Sequence, residues 1–441
     1  MPEIGQSNEQ IIVTARRAAL CAGIDNELEV LVRVQAADAP QSAAVVRKPQ
    51  AVALVIDRSG SMQGRPLHEA QRCAEYLVSR MRPTDCVSLV QFDDQVRRLW
   101  PAVPVGDGRA LRDAIASIHS GGLTNLHGGW LDGAQSLEDL TGTDVRRVIL
   151  ISDGCANRGV IDSAEIAAQC EAWAARGIST STCGLGHSFN EELMVEMGRR
   201  GGGNQYYGEA AEDLMEPFEQ ELDLLANLSL REVTLRADAG PGVKLELVST
   251  QRRAQDGWRM LDIAWGSEAW ALFRVQVLAG SVPPAGGRLE VVRVGVNARR
   301  ADGAPVTLGP VALELPVLSA EAWRAHPEDE LVMRRSVEVA AAQVLDHVRR
   351  VADEGDWEQV ARLVEKAAEQ YQAHDWVRGI LSAMQRVAAS RSRDATKKEA
   401  LYSSTKLSAR LAAKRESASD TPMDEMPSFL RRKPQQGKGK P

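Results

Sequence analysis

The chain has 441 residues, 44% of them hydrophobic and 26% charged, with a formal net charge of −7. That length carries two or three domains with real cores, and the negative balance supplies no general field for nucleic acid. No run of about 18 apolar residues offers a membrane span, and the opening MPEIGQSNEQ lacks the basic and apolar regions of a secretory leader, so a cytoplasmic chain with no membrane partner is expected.

In chain order, IIVTARRAAL and ELEVLVRVQAA alternate apolar and polar residues with period two and read as strands within 1–48. From Ala51 the pattern changes. AVALVID is a strand, Pro66 suits a first helical turn, and PLHEAQRCAEYLVSRM repeats its apolar positions at helical spacing. CVSLVQF and QVRRLWP form a strand pair across the Asp93-Asp94 turn, and 109–118 and 126–140 read as helices. VRRVILIS is a strand, Asp162 caps the following helix, ISTSTCGLG is a strand, NEELMVEMGRRG a helix and NQYYGE a last strand, with the glycines 201–203 as a turn. Strands alternating with helices over 49–226 imply right-handed crossovers and a doubly wound, mostly parallel α/β sheet covered on both faces.

Beyond Asn227 the period returns to two. LREVTLRA, VKLELVST, WRMLDIAW, AWALFRVQVLAG, RLEVVRVGVNARR and VALELPVL are separated by turn residues and predict a β-sandwich over 227–319, with Trp258, Trp265 and Trp270 in its core. The strands of 1–48 are expected to complete that sandwich, which makes 49–226 a domain inserted between its strands. Four helical patterns, 328–355, 357–374, 376–389 and 396–414, predict a C-terminal helical bundle within 320–415. Residues 416–441 are rich in Ser, Pro, Lys and Gly and predict a disordered basic tail, in which Phe429 and Leu430 before Arg431, Arg432 and Lys433 form the one candidate docking motif. The six cysteines, at 21, 73, 86, 155, 170 and 183, show neither a C-x-x-C pair nor zinc spacing and are expected as free thiols, a Cys155–Cys183 bridge being the one conceivable pairing.

Three segments carry chemistry. AVALVIDRSGSM ends an apolar strand in Asp57 and places Ser59 and Ser61 at every second residue; SGGLTNLHGGW presents Thr124 after the Gly121-Gly122 pair; VRRVILISDG ends a second apolar strand in Asp153. Carboxylate and hydroxyl oxygens suit a hard cation such as Mg²⁺, which takes oxygen ligands and keeps waters. In an open α/β sheet, ligands gather outside the carboxyl ends of the strands. In these residues the chain, from about Pro49 to Leu225, resembles the von Willebrand factor A-type (vWA) family, bacterial cytoplasmic members included. The resemblance implies a complete metal-ion-dependent adhesion site of Asp57, Ser59, Ser61, Thr124 and Asp153, holding Mg²⁺ or Mn²⁺, with Leu123 between the glycine pair and Thr124 as the one departure from the pattern.

Rival chemistries fit less well. A calcium EF-hand loop needs Gly sixth and Glu twelfth, where Met62 and His68 stand. A haloacid-dehalogenase-type phosphotransferase wants D-x-D, and Ser59 replaces its second carboxylate. A serine hydrolase elbow lacks its first glycine around Ser59, and His68, His119 and His127 read as surface or helix-end residues rather than bases. The expected function is a non-enzymatic, divalent-cation-dependent protein-binding scaffold. Its partner protein supplies an Asp or Glu to the metal, and the surrounding contacts fall at Arg58, Met62, Leu126 and Asn157. Assembly or regulation of an intracellular signalling or AAA+ complex is the expected setting, and a metal-dependent phosphatase or hydrolase using Asp57 is the alternative.

Overall fold

A computed structural model of the protein describes residues 9–38, 49–140, 143, 145–185, 190–208, 210–254, 256–300, 303–408 and 412–413. The tail expected at 416–441, with its Phe429-Leu430 motif, lies outside them. The described residues divide into two compact units, one from within 42–227 and one from within 1–41 and 228–422.

The unit within 42–227 is built on β1 (Gln50–Asp57), α1 (Arg65–Arg80), β2 (Cys86–Phe92), β3 (Val96–Pro104), α2 (Arg109–Ala116) and α3 (Leu126–Ser136). It continues with β4 (Val145–Ser152), α4 (Ser163–Ala175), β5 (Ile178–Leu185), α5 (Glu191–Arg200), β6 (Gly202–Gly208) and α6 (Ala211–Ala226). Its sheet runs β3-β2-β1-β4-β5-β6, parallel except for the edge strand β3. Two of the glycines read as a turn, Gly202 and Gly203, instead open β6.

The central strand β1 is buried at every residue, because helices cover both faces of the sheet. Its side chains alternate between two cores. Val52, Leu54 and Ile56 meet α1, α2 and α6, whereas Ala51, Ala53 and Val55 meet α3, α4 and α5. Helix α3 approaches closely because it carries Gly129 and Gly133: a Cβ on Gly133 would fall 2.4 Å from a Val55 methyl, and one on Gly129 2.4 Å from the Phe92 ring. The fully buried Trp130 beside them satisfies its indole by donating to Thr180 Oγ1 at 3.0 Å.

At the opposite side of the sheet, α6 is fastened by a buried polar cluster. Glu221 pairs with Arg147 of β4 and accepts from Ser181 Oγ, Asn204 Nδ2 and Tyr206 Oη, each at 2.6 Å. Arg147 also donates to Ser179 Oγ at 2.8 Å. Burial alone would raise the Glu221 carboxyl, but Arg147 and these donors outweigh it and hold it below the ordinary carboxylate range.

In the other unit, Gln10–Ala15 pairs with Asn26–Gln35, which pairs with Ser267–Val277, which pairs with Val243–Leu247. A second sheet is centred on Leu228–Ala239, Arg288–Arg300 and Pro305–Leu318, all antiparallel. One hydrophobic core, with Val30, Val32, Phe273, Leu235 and Val294 among its members, draws on both sheets. Helices Glu330–Glu354, Trp357–Gln370, Asp375–Ala389 and Arg393–Ser408 share another core.

The three tryptophans are not equivalent. Trp258 packs against the two-sheet core, but Trp270 points from the other face of its strand, with Leu31 and Leu272, toward Val332 and Val339 of Glu330–Glu354. Strand alternation sends neighbours to opposite faces, so Trp270 leaves the inter-sheet core and instead roots the helix. Arg335 of that helix lies 5.1 Å from the centre of its ring and bonds Glu338 at 2.7 Å, both charged residues being fully buried. Trp265 is half-buried and belongs to neither core.

Removing one partner of the Arg147–Glu221 pair strands a charge inside the protein, which costs about 3–5 kcal/mol. Glu221→Leu and Arg147→Met are therefore each expected to lower the thermal midpoint by many degrees, and the double variant to recover a large part of the loss in the same denaturation scans.

Candidate functional site

The site is assembled where the strand order reverses. β1 has β2 on one side and β4 on the other, with Asp57 opposite Phe92 and Ile56 opposite Ile151. The chain leaves those two strands in opposite directions around the sheet, so their carboxyl ends open a crevice at the topological switch point. Asp57 ends β1, Ser152 ends β4, and Asp153 follows it directly.

Asp57 is fully buried. Its Oδ1 accepts the Ser59 amide at 2.8 Å, and its Oδ2 accepts the Ser152 hydroxyl at 2.6 Å. Burial pushes its carboxyl up to about 6; the neighbouring Asp153 charge adds to that rise, while the Ser152 and Ser59 hydrogen bonds oppose it. Ser152 was not singled out by sequence, yet it orients the central carboxylate while its own oxygen accepts the Gly154 amide at 2.7 Å. Its signal was its place, one residue before a strand-ending acid.

Ser59 is buried and Ser61 exposed, with their hydroxyls 3.2 Å apart in the short turn that follows β1. The loop carrying Thr124 is laced to this turn by backbone bonds. The Gly60 amide donates to the Gly122 carbonyl at 2.8 Å, and the Gly121 amide to the Arg58 carbonyl at 2.6 Å. A side chain at either glycine would collide, since a Cβ on Gly121 would stand 1.8 Å from Asp93 Oδ2 and one on Gly122 2.5 Å from Asp94 Oδ1.

Asp93, read from the sequence only as a turn residue, is the clamp of that loop. Its Oδ2 accepts the Gly122 amide at 3.1 Å and pairs with Arg58 at 2.6 Å, and its Oδ1 accepts the Gln95 amide at 2.8 Å. Burial raises its carboxyl, but the two amides and Arg58 outweigh that and leave it below the usual range. Like Asp57, it follows an apolar strand, which was the available clue.

Thr124 is buried. Its amide donates to Asn157 Oδ1 at 2.8 Å, and its carbonyl accepts the Asn157 and Arg158 amides at 3.1 and 3.2 Å. These bonds join the loop after α2 to the loop after β4. Asp153 is 5% exposed, with Oδ1 accepting the Cys155 amide at 3.1 Å. Among the described residues, no hydrogen bond engages Thr124 Oγ1 or Asp153 Oδ2.

The donor set is two carboxylates and three hydroxyls, all oxygen. Among the described residues no group of three His, Cys, Asp or Glu side chains is gathered, so the arrangement is unlike a zinc site and fits a small hard cation. The two carboxylates are buried and close enough for the Asp153 charge to raise the Asp57 carboxyl, and among the described residues neither forms an ion pair.

The expected partner-contact residues require correction. Met62 and Leu126 are fully buried in the two cores flanking the sheet, because the turn after β1 and the start of α3 fold their apolar side chains inward. Arg58 is half-buried and committed to Asp93 and the His119 carbonyl. Asn157 is exposed, though its carbonyl oxygen is used by Thr124. Neither His119, bonded to the Ser117 carbonyl, nor His127, bonded to Gln169, makes a hydrogen bond to Asp57 or Ser59. All six cysteines are free, Cys183 fully buried and Cys155 exposed.

Comparison with known proteins bears on the domain and the fold. Residues 51–220 match the model of the von Willebrand factor type A domain. An uncharacterised protein of Synechocystis is 25% identical over 206 residues, covering 46% of this chain and 48% of its own. The uncharacterised YfbK of Escherichia coli is 26% identical over 190 residues, covering 42% and 33%. Human inter-alpha-trypsin inhibitor heavy chain H3 is 32% identical over 131 residues, covering 27% and 14%. The chain thus spans about half or less of the length of the curated relatives it matches. Among solved structures, a von Willebrand factor type A protein from Catenulispora acidiphila superposes with a TM-score of 0.70 at 15% identity, over 91% of this chain and 98% of that one. The ArnB paralog VWA2 from Sulfolobus acidocaldarius gives 0.60 at 17%, over 90% and 98%, and at such identities these two speak to fold alone. The segment from Ala51 to Gln220 thus matches the von Willebrand factor type A domain in sequence, and the chain has the fold of a solved protein of that type.

Proposed function

We propose that this protein is a divalent-cation-dependent protein-binding scaffold. Asp57, Ser59, Ser61, Thr124 and Asp153 hold Mg²⁺ or Mn²⁺, directly or through water, and an Asp or Glu of a partner protein completes the coordination. One observation supports the reading: Asp57 and Asp153 are buried carboxylates at the ends of neighbouring strands, the Ser59 and Ser61 hydroxyls stand 3.2 Å apart in the turn after β1, and among the described residues no hydrogen bond engages Thr124 Oγ1 or Asp153 Oδ2. Two protein charges only just balance a divalent ion, so the bound cation stays attractive to a further carboxylate.

Binding is favoured over catalysis. Ser59 occupies the place of a second acid–base carboxylate, and neither nearby histidine bonds to Asp57, so a phosphatase reading lacks the proton transfer worth roughly 10²–10⁴-fold. The vWA family is a general protein-interaction module, and here it would be inserted in a β-sandwich that carries a helical bundle, an architecture suited to joining partners. Among the described residues no helix is long and apolar enough to cross a membrane. Assembly or regulation of a signalling or AAA+ complex in the cytoplasm is the setting we favour.

Three outcomes test this. Calorimetric titration should show Mg²⁺ binding by the wild type and none by Asp57→Ala, and a partner captured from native lysate should be lost with EDTA or with that variant; equal capture in all four conditions would sink the proposal. Ser152→Ala, which leaves every ligand in place but frees the Asp57 carboxylate to turn, is expected to weaken Mg²⁺ about 10–100-fold. Protons compete with the metal for Asp57, whose carboxyl without metal titrates near 6. Mg²⁺ affinity should therefore hold above that pH and fall as the pH drops through it, and a flat profile from pH 7.5 to 5 would contradict the assignment of Asp57 as a ligand.

A further inference from the structure

The rim of the crevice has a composition that the cation alone does not explain. Among the described residues four large hydrophobic side chains are exposed, and the two that belong to the vWA unit, Leu123 at 51% and Ile161 at 58%, both stand on loops that carry proposed metal ligands. Leu123 immediately precedes Thr124, and Ile161 follows Asp153 on the loop after β4. The two loops are bonded to each other through the Thr124 carbonyl and the Asn157 and Arg158 amides, so the two exposed apolar side chains stand on one connected pair of loops, Leu123 one residue and Ile161 three residues from a bonded position. A single exposed aliphatic residue means little; that both of the unit's exposed large hydrophobics, among the described residues, stand on the two joined loops that carry proposed metal ligands points to a contact surface.

A third feature stands on the loop after β4. Arg158 is exposed, its backbone amide is tied to Thr124, and its guanidinium forms no ion pair among the described residues. This arginine therefore presents an exposed positive charge on the loop that follows Asp153.

We infer that the partner docks through a linear segment that sets its metal-bound Asp or Glu next to a large apolar side chain and a second acid, the apolar group lying on Leu123 and Ile161 and the second acid on Arg158. The inference rests on the cation-dependent reading above and goes beyond it by naming what must surround the ligating carboxylate. It also gives Leu123, which departs from the family pattern, a function in recognition. Covering an exposed Leu or Ile side chain contributes enough for roughly a tenfold gain in affinity or more, so the patch discriminates among acidic segments that the metal alone would treat alike.

The test is selection of a phage-displayed library of short random linear peptides on the full chain, with Mg²⁺ and in parallel with EDTA. The same selection is made on Leu123→Asn/Ile161→Asn and on Arg158→Ala. All substituted positions are exposed, so the fold and the Mg²⁺ affinity measured by calorimetry should be unchanged. Peptides recovered only with Mg²⁺ should carry an Asp or Glu within a few positions of Leu, Ile, Val, Met or Phe, and a second acid. The double variant should bind those peptides about tenfold or more weakly, and Arg158→Ala should lose the preference for the second acid. Mg²⁺-dependent peptides with acids but no apolar neighbour, or equal binding by the double variant, would overturn the inference while leaving the cation site standing. Absence of Mg²⁺-dependent peptides would overturn it too, and the Mg²⁺ titration of wild type against Asp57→Ala then decides separately whether the cation reading falls with it.

Discussion

The site depends on one buried carboxylate. Asp57 ends a strand whose every residue is enclosed, so its charge lies in a place where water cannot screen it, and two hydrogen bonds, from the Ser59 amide and the Ser152 hydroxyl, are what compensate it. Burial is the larger influence, since its carboxyl remains raised to about 6 despite those donors. A carboxylate held this way has few rotameric choices and a strong need for a counter-charge. Both properties suit a group that receives a cation, and neither is costless to the fold.

The surrounding loops are ordered by the same economy of polar groups. Asp93 ends the adjacent strand and is in the opposite electrostatic condition, with Arg58 and two amides holding its carboxyl below the ordinary range. It fastens the Gly121-Gly122 turn, which leaves no room for a Cβ on either residue, and so fixes the approach of Thr124. Two buried aspartates within one edge thus divide the work: Asp93 is paired with Arg58 and serves as structure, while Asp57 is bonded only by neutral donors and its carboxyl stays raised.

Away from this edge two pairs of buried charges are matched. Glu221 receives an arginine, two hydroxyls and an amide, and in the other unit Arg335 and Glu338 pair beneath Trp270. That contrast gives the incomplete pairing at Asp57 and Asp153 its meaning. At the ends of β1 and β4, by contrast, Asp57 and Asp153 form no ion pair among the described residues, and the loops around them carry the exposed Leu123, Arg158 and Ile161.

Much of this was legible in the linear chain, for identifiable reasons. Apolar runs ending in acids announce parallel strands and the edge where ligands bind, so the places of Asp57, Thr124 and Asp153 follow from local pattern. Helix Ala211–Ala226 was not legible, because a polar stretch and Pro217 interrupt its period and its acidic Glu221 is explained only by Arg147 across the sheet. Ser152, Asp93 and the burial of Met62 and Leu126 were hidden for the same cause: each depends on which residues of distant segments lie opposite, which periodicity does not encode. The sequence by itself determined the strand and helix alternation and the oxygen-bearing motif, since those arise from neighbours along the chain. Only the tertiary structure decided which carboxylate is compensated, which apolar side chains are left at the rim, and that Trp270 serves a helix rather than the inter-sheet core, because those are properties of contacts between segments far apart in sequence.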